Sequence, residues 1–267
     1  MSNVVTEIED PVAIIRLNRP EKLNAFTFTM IEEIRSAIED AAADDRVVGI
    51  IITGTGRAFS AGLDAGDLKR STQEGAPESK SPSPEELPAL FSYILRISKS
   101  VICAVNGVTA GGGFVLAMMC DLRFAAEGAS FTTVFSKRGL IAEHGTSWLL
   151  PRIVGVSRAL DLLWSSRRID AAEALRMGFV DRVVAADKLI EEARAYVREL
   201  AANVSPRSLA VVKSQIYRHL SEALAPAIYD ADRLMKDALE HPDAAEGVAS
   251  LLEKRPPHFQ RWHGGKA

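Results

Sequence analysis

Positions 4, 6 and 8 (Val, Thr, Ile) and then 12, 14 and 17 (Val, Ile, Leu) alternate with polar neighbours on either side of Glu9-Asp10-Pro11. A period of two broken by a turn-forming trio predicts a hairpin. The period then changes. Ile31, Ile34, Ile38 and Ala41 recur at helical spacing, and Thr29 with Glu32 three residues later predicts a boxed helix start. VVGIIITG (47–54) and VICAVNG (101–107) are nearly unbroken apolar runs rich in β-branched residues, as in strands covered on both faces. With helical spans between them, right-handed crossovers are expected.

Beyond residue 121 the pattern predicts two short strands, LRFAA and SFTTV, a turn at Gly139 and a helix starting near Gly145. SRALDLLWSS and AAEALRMG read as helices, FVDRVV as a brief strand, and LIEEARAYVRELAANV and everything on to Glu253 as helix. The chain thus divides into an α/β core, residues 1–195, and a C-terminal helical region, residues 196–267. Between them in character is KRSTQEGAPESKSPSPEELP (69–88), whose Ser, Pro, Glu and Lys content predicts a loop. No solenoid period is present, although strand, strand, helix recurs loosely in the first two thirds.

Composition narrows the function. Of the 267 residues 47% are hydrophobic, ample for a large core, and 32 basic residues against 35 acidic ones leave no broad basic surface for nucleic acid or an anionic membrane. The start MSNVVTEIEDPVAI has neither a basic nor a long apolar segment, and no run approaches 18 apolar residues, so a soluble cytoplasmic protein is expected. Cys103 and Cys120 sit in apolar runs and read as core thiols of a reducing compartment. His219, His241, His258 and His263 have no ligand spacing, so no metal is expected.

The chemistry gathers around glycine. In AVNGVTAGGGFVLAMM, Gly111, Gly112 and Gly113 stand between an apolar strand and an apolar helix. The triplet fits neither a dinucleotide fingerprint nor a Walker loop, since no lysine or hydroxyl follows at the needed spacing. It leaves two readings: a helix N-terminus with unobstructed N–H donors for an oxygen gaining charge, or close packing at the helix start. TGTGRAFSAGLDAGDL (53–68) leaves a buried strand at its C-terminal end, where open parallel sheets place ligands, and supplies more small residues beside backbone donors.

These two segments, with NRPEKLNAF (18–26) and EKRPPHF (253–259), resemble in order the crotonase superfamily of enoyl-CoA hydratases and isomerases across essentially the whole chain. The resemblance implies an α/β spiral of strand-strand-helix repeats with a C-terminal helical trimerisation region, and a homotrimer or dimer of trimers. It implies an acyl-CoA thioester substrate, with coenzyme A part of the substrate and no separate cofactor. Its oxyanion hole maps onto the backbone N–H groups of Leu63 and Gly112. Lys22, Ala25, Ala61, Gly62 and Asp64 map to the CoA site, and Phe259 to a reach toward a neighbour's CoA. Asp64 reads as a turn carboxylate ahead of a catalytic one, and Arg57 as a phosphate contact or a solvated loop cation.

Where the family's hydratases carry two glutamates, this chain has Val115 and Phe135, neither able to titrate. Glu143 stands instead where the resemblance places the catalytic carboxylate of peroxisomal-type 3-enoyl-CoA to 2-enoyl-CoA isomerases. Apolar Leu140, Ile141 and Trp148 around it would raise its pKa from about 4.3 toward that of a working base, and a nearby helix N-terminus would lower it. The other reading of Glu143 is a helix cap. His144 can titrate near neutrality, but adjacent side chains are expected to diverge. Leu90 and Phe91 are expected to wall the acyl pocket. One movable carboxylate suffices for a double-bond shift, whereas hydration is easier with two. Isomerisation is thus the favoured reading, beside an enoyl-CoA hydratase and a noncatalytic acyl-CoA binder; RNA binding lacks a basic stripe.

Overall fold

The computed structural model describes residues 2–74, 87 and 89–262. Val4–Glu9 (β1) and Val12–Leu17 (β2) form the expected hairpin, with Glu9 facing Val12 across the turn. Helix α1 (Phe28–Ala43) buries Met30, Ile34, Ile38 and Ala41. Its cap is Thr27, whose Oγ1 accepts the Met30 N–H at 3.1 Å, and not the expected Thr29. Both threonines precede the same apolar stripe, and only the one with extended backbone (φ −92°, ψ 163°) can cap; such a cap contributes about 1 kcal/mol.

Three strand pairs follow. Gly49–Gly54 (β3) leads into Ala58–Ser60 (β4), Ser100–Val105 (β5) into Val108–Ala110 (β6), and Leu122–Ala126 (β7) into Ser130–Thr132 (β8). Each pair ends in a helix, α2 (Ala65–Glu74), α3 (Gly112–Met119) and α4 (Thr146–Val154) respectively, so the chain winds as a strand-strand-helix spiral. After α5 (Val156–Ser165) come β9 (Ile169–Asp170), α6 (Ala171–Met177) and β10 (Arg182–Val184). The first strand of each pair joins one sheet, in the order β1-β2-β3-β5-β7-β10, parallel except for the hairpin. The second strands make a smaller sheet, β4-β6-β8-β9, in which β9 alone runs antiparallel.

The central strands of the large sheet, β2, β3, β5 and β7, are buried on both faces. Ala13, Ile15, Ile50, Ile52, Val101 and Cys103 point into a core shared with α1, α3 and the small sheet. Val12, Ile14, Ile51 and Ile102 point the other way, against Leu189, Ala193 and Val197 of α7 (Leu189–Asn203). That is the physical origin of the unbroken apolar runs at 47–54 and 101–107. Helices α8 (Pro206–His219), α9 (Leu224–Leu239) and α10 (Pro242–Glu253) complete the chain. The division at 195/196 passes through α7, whose buried face belongs with the sheet. Lys69–Glu74, expected in a loop, continues α2, and the rest of that segment lies outside the described residues apart from Leu87. His263 also lies outside them. Both cysteines are buried free thiols. Among the described residues no helix is long and apolar enough to cross a membrane.

Candidate active site

The site starts from a short parallel bridge between Phe26 and Leu63. Phe26 donates its N–H to Gly62 O at 2.7 Å and its carbonyl accepts the Asp64 N–H at 2.8 Å. In a parallel bridge the middle residue of the second segment points its own N–H the opposite way. Leu63 is that residue, and its N–H has no acceptor among the described residues. The bridge is braced from behind. Ser60 Oγ donates to Asn24 O at 2.8 Å and accepts the Gly62 N–H at 3.2 Å, while Ala61 N–H donates to Leu23 O at 2.9 Å.

The second donor arrives on α3. Gly111 caps the helix at φ 51°, ψ −118°, a conformation that suits only glycine, and its N–H donates to Thr132 O at 3.2 Å. Gly112, the first helical residue, has no intrahelical acceptor for its N–H and none elsewhere among the described residues. A β-carbon on Gly62 (φ 91°) would stand 3.0 Å from Gly112 N and 2.8 Å from Ala110 O, so the bend carrying the Leu63 amide lies directly against the start of α3. Two free donors at a helix N-terminus can hold one oxygen that is gaining negative charge.

Val115 is fully buried in α3 and Phe135 is 3% exposed, both in the main core. Asp64 accepts the Gly66 N–H at 3.0 Å and pairs with Arg19 at 3.4 Å, which together hold its carboxyl below the usual carboxylate range. It behaves as a turn carboxylate. Arg19 also donates to Ala25 O at 2.6 Å, tying the NRPEKLNAF segment to the bend. Lys22 is exposed at the end of a 3-10 turn (Pro20–Lys22), Ala25 is buried, and Arg57 is exposed in the β3–β4 turn. Phe91 is buried edge-on against Phe26, ring centroids 5.4 Å apart, with half-buried Leu90 before it. Phe259 lies in an extended tail beyond α10, its ring edge 3.9 Å from where a Gly247 β-carbon would stand.

Glu143 stands in the turn before α4, its side chain 39% exposed. Its carbonyl, not its carboxylate, serves the helix start, accepting the Thr146 N–H at 3.0 Å and Thr146 Oγ1–H at 2.6 Å. The cap is Gly145, so the carboxylate is free of that duty. His144 overturns an expectation: at φ 54° its left-handed backbone turns the ring back, and Nε2 comes within 3.6 Å of Glu143 Oε2. Burial lowers the His144 pKa and outweighs the pull of Glu143 in the other direction. No hydrogen bond joins Glu143 to the Leu63–Gly112 pair among the described residues; Gly145 instead packs α4 onto Met119 at the end of α3. Among the described residues no three His, Cys, Asp or Glu side chains gather as a metal site requires.

Sequence reasoning missed Arg19, Asn24 and Asn106. Asn24 is fully buried at φ 53° and donates to Thr55 O and Ala58 O at 3.0 and 2.8 Å, while Asn106 accepts the Gly54 N–H at 3.0 Å and donates to Gly56 O at 2.9 Å. The two asparagines clamp the β3–β4 turn from both sides. The signal available was an asparagine beside an apolar run, a residue that tolerates left-handed backbone and bonds to nearby main chain.

The spiral and its glycine-cradled helix start define the crotonase type of α/β enzyme. The profile described as Enoyl-CoA hydratase/isomerase matches residues 7–262, and the chain belongs to that family. It is 35% identical over 256 residues to the Mycobacterium tuberculosis protein named probable enoyl-CoA hydratase echA8, covering 96% of this chain and 97% of that one. It is 34% identical over 260 residues to the 1,2-epoxyphenylacetyl-CoA isomerase of Escherichia coli, covering 97% and 98%. The structure of an enoyl-CoA hydratase from Polaromonas sp. JS666 superposes with a TM-score of 0.87 at 32% identity over 96% of this chain and 99% of that one.

Proposed function

We propose that this enzyme moves the double bond of a 3-enoyl-CoA thioester to the 2-position, with Glu143 as the proton carrier and the Leu63 and Gly112 amides as the oxyanion hole. The observation that carries this reading is the burial of Val115 and Phe135 in the core, with Asp64 tied to Arg19 and the Gly66 N–H while the Glu143 carboxylate is engaged by no cap. Glu143 takes the proton from C2. The C–H electron pair becomes the C1–C2 π bond and the carbonyl π pair moves onto oxygen, where two amides receive it. As the carbonyl reforms, the π electrons shift to C2–C3 and C4 takes the proton back from Glu143. No water is consumed. One carboxyl group performs both transfers, which is the work a single movable acid can do.

The family resemblance assigns Lys22, Ala25, Ala61, Gly62 and Asp64 to CoA, and the Phe26–Leu63 bridge and Arg19 support this by gathering all but Lys22 around one bend, with Lys22 exposed beside it. No cofactor beyond the substrate's own coenzyme A enters the scheme. Phe259 is assigned to a neighbouring copy's CoA in a homotrimer or dimer of trimers. A hydratase remains the second reading, favoured by the names of the relatives. Turnover of 3-enoyl-CoA by wild type and Glu143→Gln separates them: a loss of at least roughly a hundredfold is expected, within the range for an acid–base group. Equal turnover in the two proteins, or hydration of 2-enoyl-CoA as the faster reaction, overturns the reading. Acyl-CoA binding with no deuterium entering the chain from solvent marks a noncatalytic binder.

A further inference from the structure

Among the described non-glycine residues with left-handed backbone, Val134 (φ 56°) alone is β-branched. A side chain branched at Cβ crowds its own main chain there, so the conformation has to be imposed from outside. Four hydroxyls impose it. Thr132 Oγ1 donates to Ser166 O at 3.0 Å, and Thr133 Oγ1 donates to Leu162 O at 2.9 Å and meets Ser166 Oγ at 3.2 Å. On the other side of Val134, Ser136 Oγ donates to Trp164 O and meets Ser166 Oγ, both at 2.8 Å. Residues 132–136 are thereby fastened to the end of α5 on both sides of the strained position. The turn sends Phe135 into the core and leaves Val134 half-buried.

Val134 Cγ2 lies 3.2 Å from where a β-carbon on Gly111 would stand. The ψ of Gly111 orients the peptide that carries the Gly112 N–H, and glycine has no side chain of its own to hold that angle. Its restraints are the Val115 N–H bond to Gly111 O at 3.0 Å, the Gly111 N–H bond to Thr132 O and the methyl of Val134, and the last two come from the same fastened segment.

We infer that Val134 is a positioning residue: pinned left-handed by the hydroxyl ties, it holds the Gly111–Gly112 peptide so that the Gly112 N–H keeps its aim at the substrate's thioester oxygen. This rests on the oxyanion role of Gly112 and not on Glu143. The test uses butyryl-CoA labelled with carbon-13 at the carbonyl, a saturated thioester that cannot isomerise, and reads the carbonyl infrared band when bound. Wild type is expected to lower that frequency relative to water, and Val134→Ile to keep the shift. Val134→Gly is expected to lose half of it or more, with kcat on 3-enoyl-CoA down about tenfold, a part of what complete removal of such a donor costs. KM should stay within about twofold and the melting temperature stay level or rise, since glycine is unstrained at this φ. Thr133→Val should weaken the shift and Thr133→Ser restore it. A Val134→Gly band and kcat equal to wild type, a fall in melting temperature with an unchanged band, or an unshifted wild-type band would each overturn the inference. Equal turnover in Glu143→Gln would remove the proton carrier and leave the band experiment standing.

Discussion

At His144 a single backbone angle decides a side-chain pairing that spacing along the chain argues against. Neighbouring side chains diverge when both residues are extended or helical; at φ 54° the imidazole instead swings back to within 3.6 Å of the Glu143 carboxylate. Burial lowers the His144 pKa from 6.5, so the ring is neutral at pH 7 in the folded protein. The unfolded chain takes up this proton near 6.5 and the folded chain only at lower pH. Unfolding therefore binds a proton between those values, and the associated stability, complete above 6.5, is lost as the pH falls through the folded value. His144→Asn keeps a residue that tolerates left-handed backbone and removes the titration. The drop in urea midpoint from pH 7.5 to 5.5 should be smaller in this variant; an identical drop would mean that His144 does not carry it. The sequence directs attention to Glu143 because Val115 and Phe135 are apolar. The pairing was not legible, since nothing in the letters EHG reports a φ.

At the scale of elements, the fit of α3 against β4 shows how the three glycines divide two physical tasks. A β-carbon on Gly113 would stand 2.5 Å from Ser60 O and 2.8 Å from Ser60 Cβ, and Ser60 is fully buried and braced by Asn24. Gly113→Ala should push α3 off the strand that leads into Gly62 and Leu63. Overpacking of this kind costs typically about 1–3 kcal/mol, to be read from urea unfolding, and 3-enoyl-CoA turnover should fall by more than the unfolded fraction explains. Unchanged stability would mean that β4 yields without cost. Close packing is thus seen at Gly113, and at Gly112 an N–H without an acceptor among the described residues. The long elements were legible because their period runs for many residues: the hairpin, β3, β5 and the helices α1, α5 and α7 stand where patterning placed them, whereas α2 runs into the segment read as a loop. Of the second sheet only β8 was, read from SFTTV. β4 and β6 have three residues each and β9 two, too short for any period to register. They are identified only by what they lie beside.

At the scale of the whole molecule, the apolar stripe of α9 has no cover among the described residues. Leu224, Ile228, Met235 and Leu239 share one helical face and are 77%, 51%, 59% and 68% exposed, with Leu251 and Leu252 of α10 exposed as well. A pattern of apolar positions marks a face to be buried and is silent on whether the chain or a second copy buries it, so the sequence alone could not distinguish a packed C-terminal region from an assembling one. Leaving such side chains in water forfeits about 1.5–3 kcal/mol for each that a partner could bury, and contiguous apolar surface of this kind marks association. Since the family resemblance implies a homotrimer or dimer of trimers, sedimentation velocity should give the mass of three or six chains of 28.9 kDa. Ile228→Glu with Leu239→Glu places two charges on the stripe, at positions that a monomer would leave in water. The double variant should sediment as a single chain with its helical circular dichroism intact, because neither side chain is buried in the core. If Phe259 completes the CoA site of a neighbouring copy, KM for the thioester should rise in the dissociated variant by more than kcat falls. A wild type that sediments at one chain mass would leave the stripe without a role in assembly, and would return Phe259 to simple packing on α10.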